Sequence, residues 1–287
     1  MWYTVRVFVT KELIVFKVVF YSIISYINII HGGLAMKQYK NNTLSTVIFR
    51  VDFVSPINVD DDGLDKACMS IYPVKQTETI NEENVTTSFN EKGEMSIERN
   101  VVSFANKKYS DRQLMRYITV SPKYVLTEVT NYISYEDIRT TFISVFDAIR
   151  KANPDVVVSR IGMRYVNQID LSSYKKTTRK SFVKQNLFES VYDDIIDDSL
   201  SARTQHLAEI IIDDYRVRCV TGLFNPDYPA AIKRNIVTLD FDAFIQGNVD
   251  SSDVANYLDK FHDSIQVLFE ESILAKQREQ MGRIENE

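Results

Sequence analysis

Hydrophobic and polar positions alternate along much of this chain with the period of a strand, and in three places they recur with the period of a helix. "LSTVIFRVDFVSP" at 44–56 is β-branched and aromatic in partial alternation, which predicts a strand closed by Pro56. The following "NVDDDGLDKA" reads as an acidic, turn-rich connection, and 75–94 as a polar mixture of short exposed strands and loop. Segments 95–106, 112–122 and 124–134 predict successive antiparallel strands with short connections. The period then changes. Ser134 is placed to cap a helix, with Asp137 three residues on, and Ile138, Phe142, Val145, Phe146 and Ile149 fall on one face before Asn153-Pro154 stops it.

The second half repeats that order. "DVVVSRIGMRYVNQIDLS" at 155–172 predicts a long strand, and 181–198 a helix that buries Phe182, Leu187, Phe188, Val191, Tyr192, Ile195 and Ile196. Strands at 205–213 and 215–224 meet at Asp213-Asp214, and a last strand covers 236–246. Ser251 or Ser252 then caps a terminal helix to about residue 280 with Val254, Leu258, Phe261, Ile265, Leu268, Phe269 and Ile273 inward. The expected class is α+β, with antiparallel sheets and covering helices. A tandem duplication of a sheet-plus-helix unit is also expected, with halves at 36–154 and 155–287, the second packed on the first.

Residues 1–35 stand apart. "LIVFKVVFYSIISYINII" at 13–30 is apolar except for Lys17, Ser22, Ser25 and Asn28. That is borderline for a membrane-spanning helix, which needs about 20 such residues. A lysine at mid-span would cost roughly 2.5–3.5 kcal/mol, but Lys17 lies close enough to the start to snorkel outward. No small-x-small triplet ends the run as a signal peptidase would require. Two readings therefore stand for 1–35: a mis-assigned start, with Gly32-Gly33 codons able to spell a ribosome-binding sequence before Met36, or a membrane anchor through 13–30. The first places the protein in the cytoplasm, and membrane contact is expected only if 1–35 is translated.

Composition narrows the function classes. The 287 residues are 45% hydrophobic and 25% charged, enough for a large core without staples. The formal net charge of −5 argues against general nucleic-acid binding. Cys68 and Cys219 are far apart, and His31, His206 and His262 are dispersed, so neither a disulfide framework nor a metal centre is indicated. No P-loop, dinucleotide fingerprint, nucleophile elbow or kinase motif occurs. No catalytic residue and no cofactor are expected, which leaves enzymatic activity without a positive signal.

The most unusual segment is "RIGMRYVNQ" at 160–168. In a strand, Arg160, Gly162, Arg164 and Gln168 share one face, while Ile161, Met163, Tyr165 and Asn167 share the other. Guanidinium groups flanking a glycine suit a phosphate or carboxylate, so Arg160, Arg164 and Gln168 form a candidate anion site. The plainer reading pairs both arginines with acids on neighbouring strands, such as Glu209 or Asp240. His262 reads as a histidine at a packing boundary, and the acidic runs at 59–63 and 192–198 as solvated faces. "KKTTRK" at 175–180 is either a solvated loop or an extension of a cationic surface near Arg160 and Arg164.

Val51-Asp52-Phe53, the strand from Arg160 to Gln168, and Phe269-Glu270 through Met281-Gly282 together resemble a sporadically distributed family of uncharacterised bacterial proteins. The resemblance covers most of 37–282 and leaves out 1–35. It carries no established activity, and its sporadic distribution implies mobile cargo such as phage-defence or toxin–antitoxin genes. The expected function is a non-enzymatic interaction protein with a protein partner, an accessory, antitoxin-like or chaperone-like component of such a system. The alternative is an enzyme or sensor that grips a phosphorylated or nucleotide ligand with Arg160 and Arg164.

Overall fold

The computed structural model describes residues 38–89, 95–190, 192 and 200–284. The leader and most of the acidic run at 192–198 lie outside the described residues. The first half supplies β1 (Gln38–Tyr39), β2 (Leu44–Phe53), α1 (Asp62–Ile71), β3 (Val74–Phe89), β4 (Met95–Ser110), β5 (Arg116–Val120), β6 (Tyr124–Val129) and α2 (Tyr135–Ala152). The second supplies β7 (Val158–Asp170), β8 (Thr204–Ile212), β9 (Tyr215–Leu223), β10 (Ile236–Val249), α3 (Val254–Ser272), α4 (Ala275–Met281) and β11 (Arg283–Ile284). The fold is α+β. A nine-stranded antiparallel sheet runs in the order β3-β4-β5-β6-β2-β7-β10-β9-β8, and β1 pairs with β11 as a separate clip.

The opening strand of each half lies at the centre. β2 and β7 pair antiparallel, with Phe49 opposite Met163 and Val51 opposite Ile161. Alternation decides which face is buried: Val47, Phe49 and Val51 point to the helices together with Ile161, Met163 and Tyr165. Phe142, Phe146 and Ile149 of α2 and Leu258, Phe261 and Ile265 of α3 close the core from the other side, with Phe142 edge-on to Phe49 at 5.8 Å. Ser134 caps α2 by accepting from the Asp137 N–H.

Four expectations need correction. The acidic connection after Pro56 contains α1: Asp61 accepts from the Leu64 N–H, Asp62 and Asp65 complement the helix dipole, and Leu64 and Cys68 bury one turn apart. Residues 74–89 form one continuous strand, held in register with β4 from Val74 opposite Ser110 to Phe89 opposite Met95. The segment from 181 to 190 is no α-helix, and Val191, Ile195 and Ile196 of the helix expected over 181–198 lie outside the described residues. That segment follows a 3₁₀ turn at Lys176–Ser181, holds another at Gln185–Leu187, and buries Phe182, Val183 and Phe188, while Tyr192 is exposed. Its backbone bonds go elsewhere: Lys184 N–H to Ser272 C=O, Leu274 N–H to Phe182 C=O, and Val183 bridges Ile273.

That same pairing corrects the terminal helix. Ile273 is pulled into an extended conformation, so the helix breaks there into α3 and α4. A 3₁₀ turn at Ser251–Asp253 leads into α3, and Asp250 caps it through the Ser252 N–H in place of either serine. Among the described residues, no helix is long and apolar enough to cross a membrane.

Candidate functional site

The face of the sheet opposite the helices holds the sequence-predicted site. Strand register brings Arg160, Gly162, Arg164 and Gln168 of β7 opposite Gln246, Phe244, Asp242 and Thr238 of β10. On the other flank, Arg160 lies opposite Asp52 and Gly162 opposite Arg50 of β2. Next along the sheet, Arg218 of β9 faces Asp242, and Glu209 of β8 faces Arg218. Guanidinium and carboxylate groups thus alternate across neighbouring strands, the arrangement in which cross-strand charge pairs stabilise a sheet.

The arginines are committed to these acids. Arg164 grips Asp240 with two parallel bonds, Nε to Oδ1 at 2.9 Å and Nη2 to Oδ2 at 2.6 Å. That pairing raises the Arg164 pKa, against the opposing effect of burial. Arg160 bridges Asp52 at 3.7 Å and Asp242 at 3.6 Å, and its guanidinium lies 5.4 Å from the centre of the Phe244 ring. Arg218 approaches the same ring at 5.5 Å. Burial raises the Asp242 pKa, and Arg160, Arg164 and Arg218 pull it back down.

At Gly162 a Cβ would stand 2.8 Å from Arg160 Nη1, so the missing side chain makes room for the guanidinium. Gln168 shares this face, with its backbone N–H bonded to the Thr43 carbonyl. The plainer reading of the sequence named Asp240 correctly as a partner of Arg164. Glu209 belongs instead to Arg216 and Arg218, each at 3.2 Å. "KKTTRK" does not extend this surface through Arg179, which is buried and donates to Asn235 Oδ1. Asp52, Asp242 and Phe244 were legible as alternating positions, "VDF" and "DFDAF", but only the register shows that they converge.

A second constellation lies between the sheet and α3. His262 is 6% exposed and stacks on Tyr135, with the rings 3.9 Å apart and nearly parallel. Its Nδ1 is 3.0 Å from the Tyr165 hydroxyl. Burial lowers the His262 pKa to about 4 and drives Tyr165 well above its ordinary value. Beyond Tyr135, Asp259 accepts from its hydroxyl and from Arg139 in a bidentate pair. Burial opposes the charge on Asp259, but these hydrogen bonds outweigh it and hold the pKa below the usual carboxylate range. The cluster borders a cavity of about 140 Å³, walled by Tyr39, Leu44, Tyr132, Asn167, Ile265 and Phe269 among others.

Sequence reasoning placed His262 at a packing boundary and missed the cluster. Tyr132 and Tyr135 stand at the entry to α2, whereas Tyr165 comes from β7 and His262 from α3, and no spacing rule joins them. Among the described residues, no group of three or more His, Cys, Asp or Glu side chains could hold a metal ion. Neither protein-family models nor curated proteins show a match to this chain.

Proposed function

We propose that this chain is a non-enzymatic interaction protein whose working element is the arm formed by β3 and β4, and that the arm receives an extended segment of a protein partner. One observation carries the reading. β5 pairs only with Lys107–Ser110 of β4, so from Thr79 to Phe89 and from Met95 to Asn106 both edges of the two-stranded ribbon are unpaired by any described strand. One face of that ribbon carries four apolar side chains, Val85, Met95, Ile97 and Val101, all more than half exposed, around the Arg99–Glu83 ion pair. A lone two-stranded ribbon is marginal in water, and an open edge is a template for a third strand.

The test is selection of extended peptides from a random display library on the full chain. Enriched peptides should alternate apolar and polar residues, protect β3 or β4 amides from hydrogen exchange, and lose binding in an Ile97→Glu/Val101→Glu variant. Peptides that bind equally to that variant would overturn the reading.

Wider proposals follow from it. The duplication is supported by topology: in each half the first strand is central, the last strand (β6 or β10) pairs with or beside it, and a helix follows onto the same face. The first half differs by adding α1 and one more strand. The role as an accessory or antitoxin-like member of a mobile defence or toxin–antitoxin system rests on the family resemblance. A cytoplasmic setting is supported by the buried, unpaired thiols of Cys68 and Cys219. The alternative, a phosphorylated or nucleotide ligand held by Arg160, Arg164 and Gln168, requires the ligand to displace Asp240 from Arg164.

A further inference from the structure

We propose that the open edge of β8 pairs with the same strand of a second copy of this chain, so that the two sheets run on into one another across a twofold axis at Leu207. This inference does not rest on the arm, which lies at the opposite end of the sheet. β8 ends the strand order, and no described strand pairs with its outer side. Its register with β9 is continuous from Thr204 opposite Leu223 to Ile212 opposite Tyr215. Edges that stay single are commonly blunted by proline, lysine or a bulge. β8, "TQHLAEIII", has none of these, and its one acid, Glu209, is already paired with Arg216 and Arg218.

Exposure along the strand is that of a surface left open. Gln205, Ala208 and Glu209 are exposed, and so are Leu207 at 70% and Ile211 at 65%. Alternation puts Gln205, Leu207, Glu209 and Ile211 on the sheet face that carries Arg164 and Asp242, since Glu209 lies opposite Arg218 and Arg218 opposite Asp242. Leu207 lies opposite Val220 on the same face.

Self-complementarity selects a second copy as the occupant. In a twofold antiparallel pair, residue i meets j and j meets i, so only registers centred on a residue keep every side chain on its own face. Centring on Glu209 sets like charges against each other, and centring on His206, Ala208 or Ile210 sets Gln205 or Glu209 against Leu207 or Ile211. Centring on Leu207 does neither. Leu207 then meets its own counterpart, which extends the Val220–Leu207 pair into an apolar row across both copies, and Gln205 meets Glu209 twice. Gln205 Oε1 accepts from Arg203 Nη2 at 2.6 Å, and its amide nitrogen supplies the donor for the Glu209 carboxylate. An overlap from Thr204 to Ile210, about 20–25 Å long and one strand deep, covers well under the roughly 800 Å² per partner of a stable complex, so the dimer is reversible.

The experiment is analytical ultracentrifugation of the full chain between about 1 and about 100 μM, joined to oxidative cross-linking of single-cysteine variants. The mass should rise from monomer toward dimer across that range. Leu207→Lys, at an exposed position, should keep the fold and raise the dissociation constant at least about tenfold. Leu207→Cys should form a disulfide-linked dimer, whereas Gln205→Cys, which faces Glu209 and not itself, should not. Cys68 and Cys219 are buried, so the parent chain should stay uncrosslinked. The cross-linking pair decides the register even if Leu207→Lys does not fold. A dimer as tight in folded Leu207→Lys, or cross-linking as efficient through Gln205→Cys, would overturn the proposal. So would a chain that stays monomeric at both concentrations; β8 amides protected from hydrogen exchange in that monomer would assign the edge to residues 1–37 or 193–199 of the same chain.

Discussion

At the scale of the residue, burial decides more than charge count. His262 is held neutral between Tyr135 and Tyr165, with its pKa lowered from 6.5 to about 4. The sign follows directly. Between those values the unfolded chain binds the proton and the folded one does not, so stability is intact above about pH 6.5 and is lost as pH falls toward 4. The full shift corresponds to about 3 kcal/mol. Denaturant titrations at pH 7 and pH 4.5 should therefore differ by a component that His262→Phe removes; an unchanged pH dependence in that variant would contradict the assignment. The sheet face allows a second residue-scale test. Asp240 is 8% exposed and Arg164 about half exposed. Arg164→Ala strands a buried carboxylate and should cost roughly 1–3 kcal/mol, discounted for the exposed arginine. Adding Asp240→Ala should recover part of that loss, and additive losses would show that the pair is not coupled.

At the scale of the element, register is enforced by single positions. Gly222 of β9 has φ +154°, and a Cβ there would lie 2.1 Å from the Thr204 carbonyl oxygen on β8. Gly222→Ala should cost roughly 2–3 kcal/mol and speed hydrogen exchange in β8 before any other strand. Uniform exchange across the sheet would place the strain elsewhere. Such constraints explain what the sequence could disclose. Strongly periodic segments were legible: α2 with its Ser134 cap and the β7 strand follow from helical spacing or alternation, and a strand was expected over 236–246, where β10 lies. The 181–190 segment misled because Phe182, Leu187 and Phe188 fit a helical face, whereas pairing with Ile273 and Leu274, far along the chain, fixes its backbone. Likewise α1 was hidden by Gly63 and its run of aspartates, which read as a turn until Asp61 is seen as a cap. The candidate site was half legible. Its arginines and their face came from alternation, but their partners depend on strand order, which no local pattern specifies.

At the scale of the molecule, the two halves are joined where each is most vulnerable. β2 and β7 are the central strands, and separating the halves at residue 154 would turn both into bare edges with an apolar face. The core does not respect the boundary either: Phe49 of β2 lies opposite Met163 of β7, Tyr135 of α2 stacks on His262 of α3, and Arg139 of α2 pairs with Asp259 of α3. A shared core and a shared sheet couple unfolding of one half to the other, even at a size where chains often unfold in stages. The arm stands outside this coupling, because the distal positions of β3 and β4 contribute no buried side chain. Calorimetry of the full chain should therefore show one main transition with calorimetric and van't Hoff enthalpies in agreement. Shortening the arm beyond Glu82 and Val102 should leave its midpoint within a few degrees, since none of the described side chains it removes is buried. Phe49→Ala at the junction should instead lower stability by about 3–5 kcal/mol while the transition stays single. Two resolved transitions in the parent chain, or a second one released by Phe49→Ala, would mean that the halves fold as independent domains despite their common sheet.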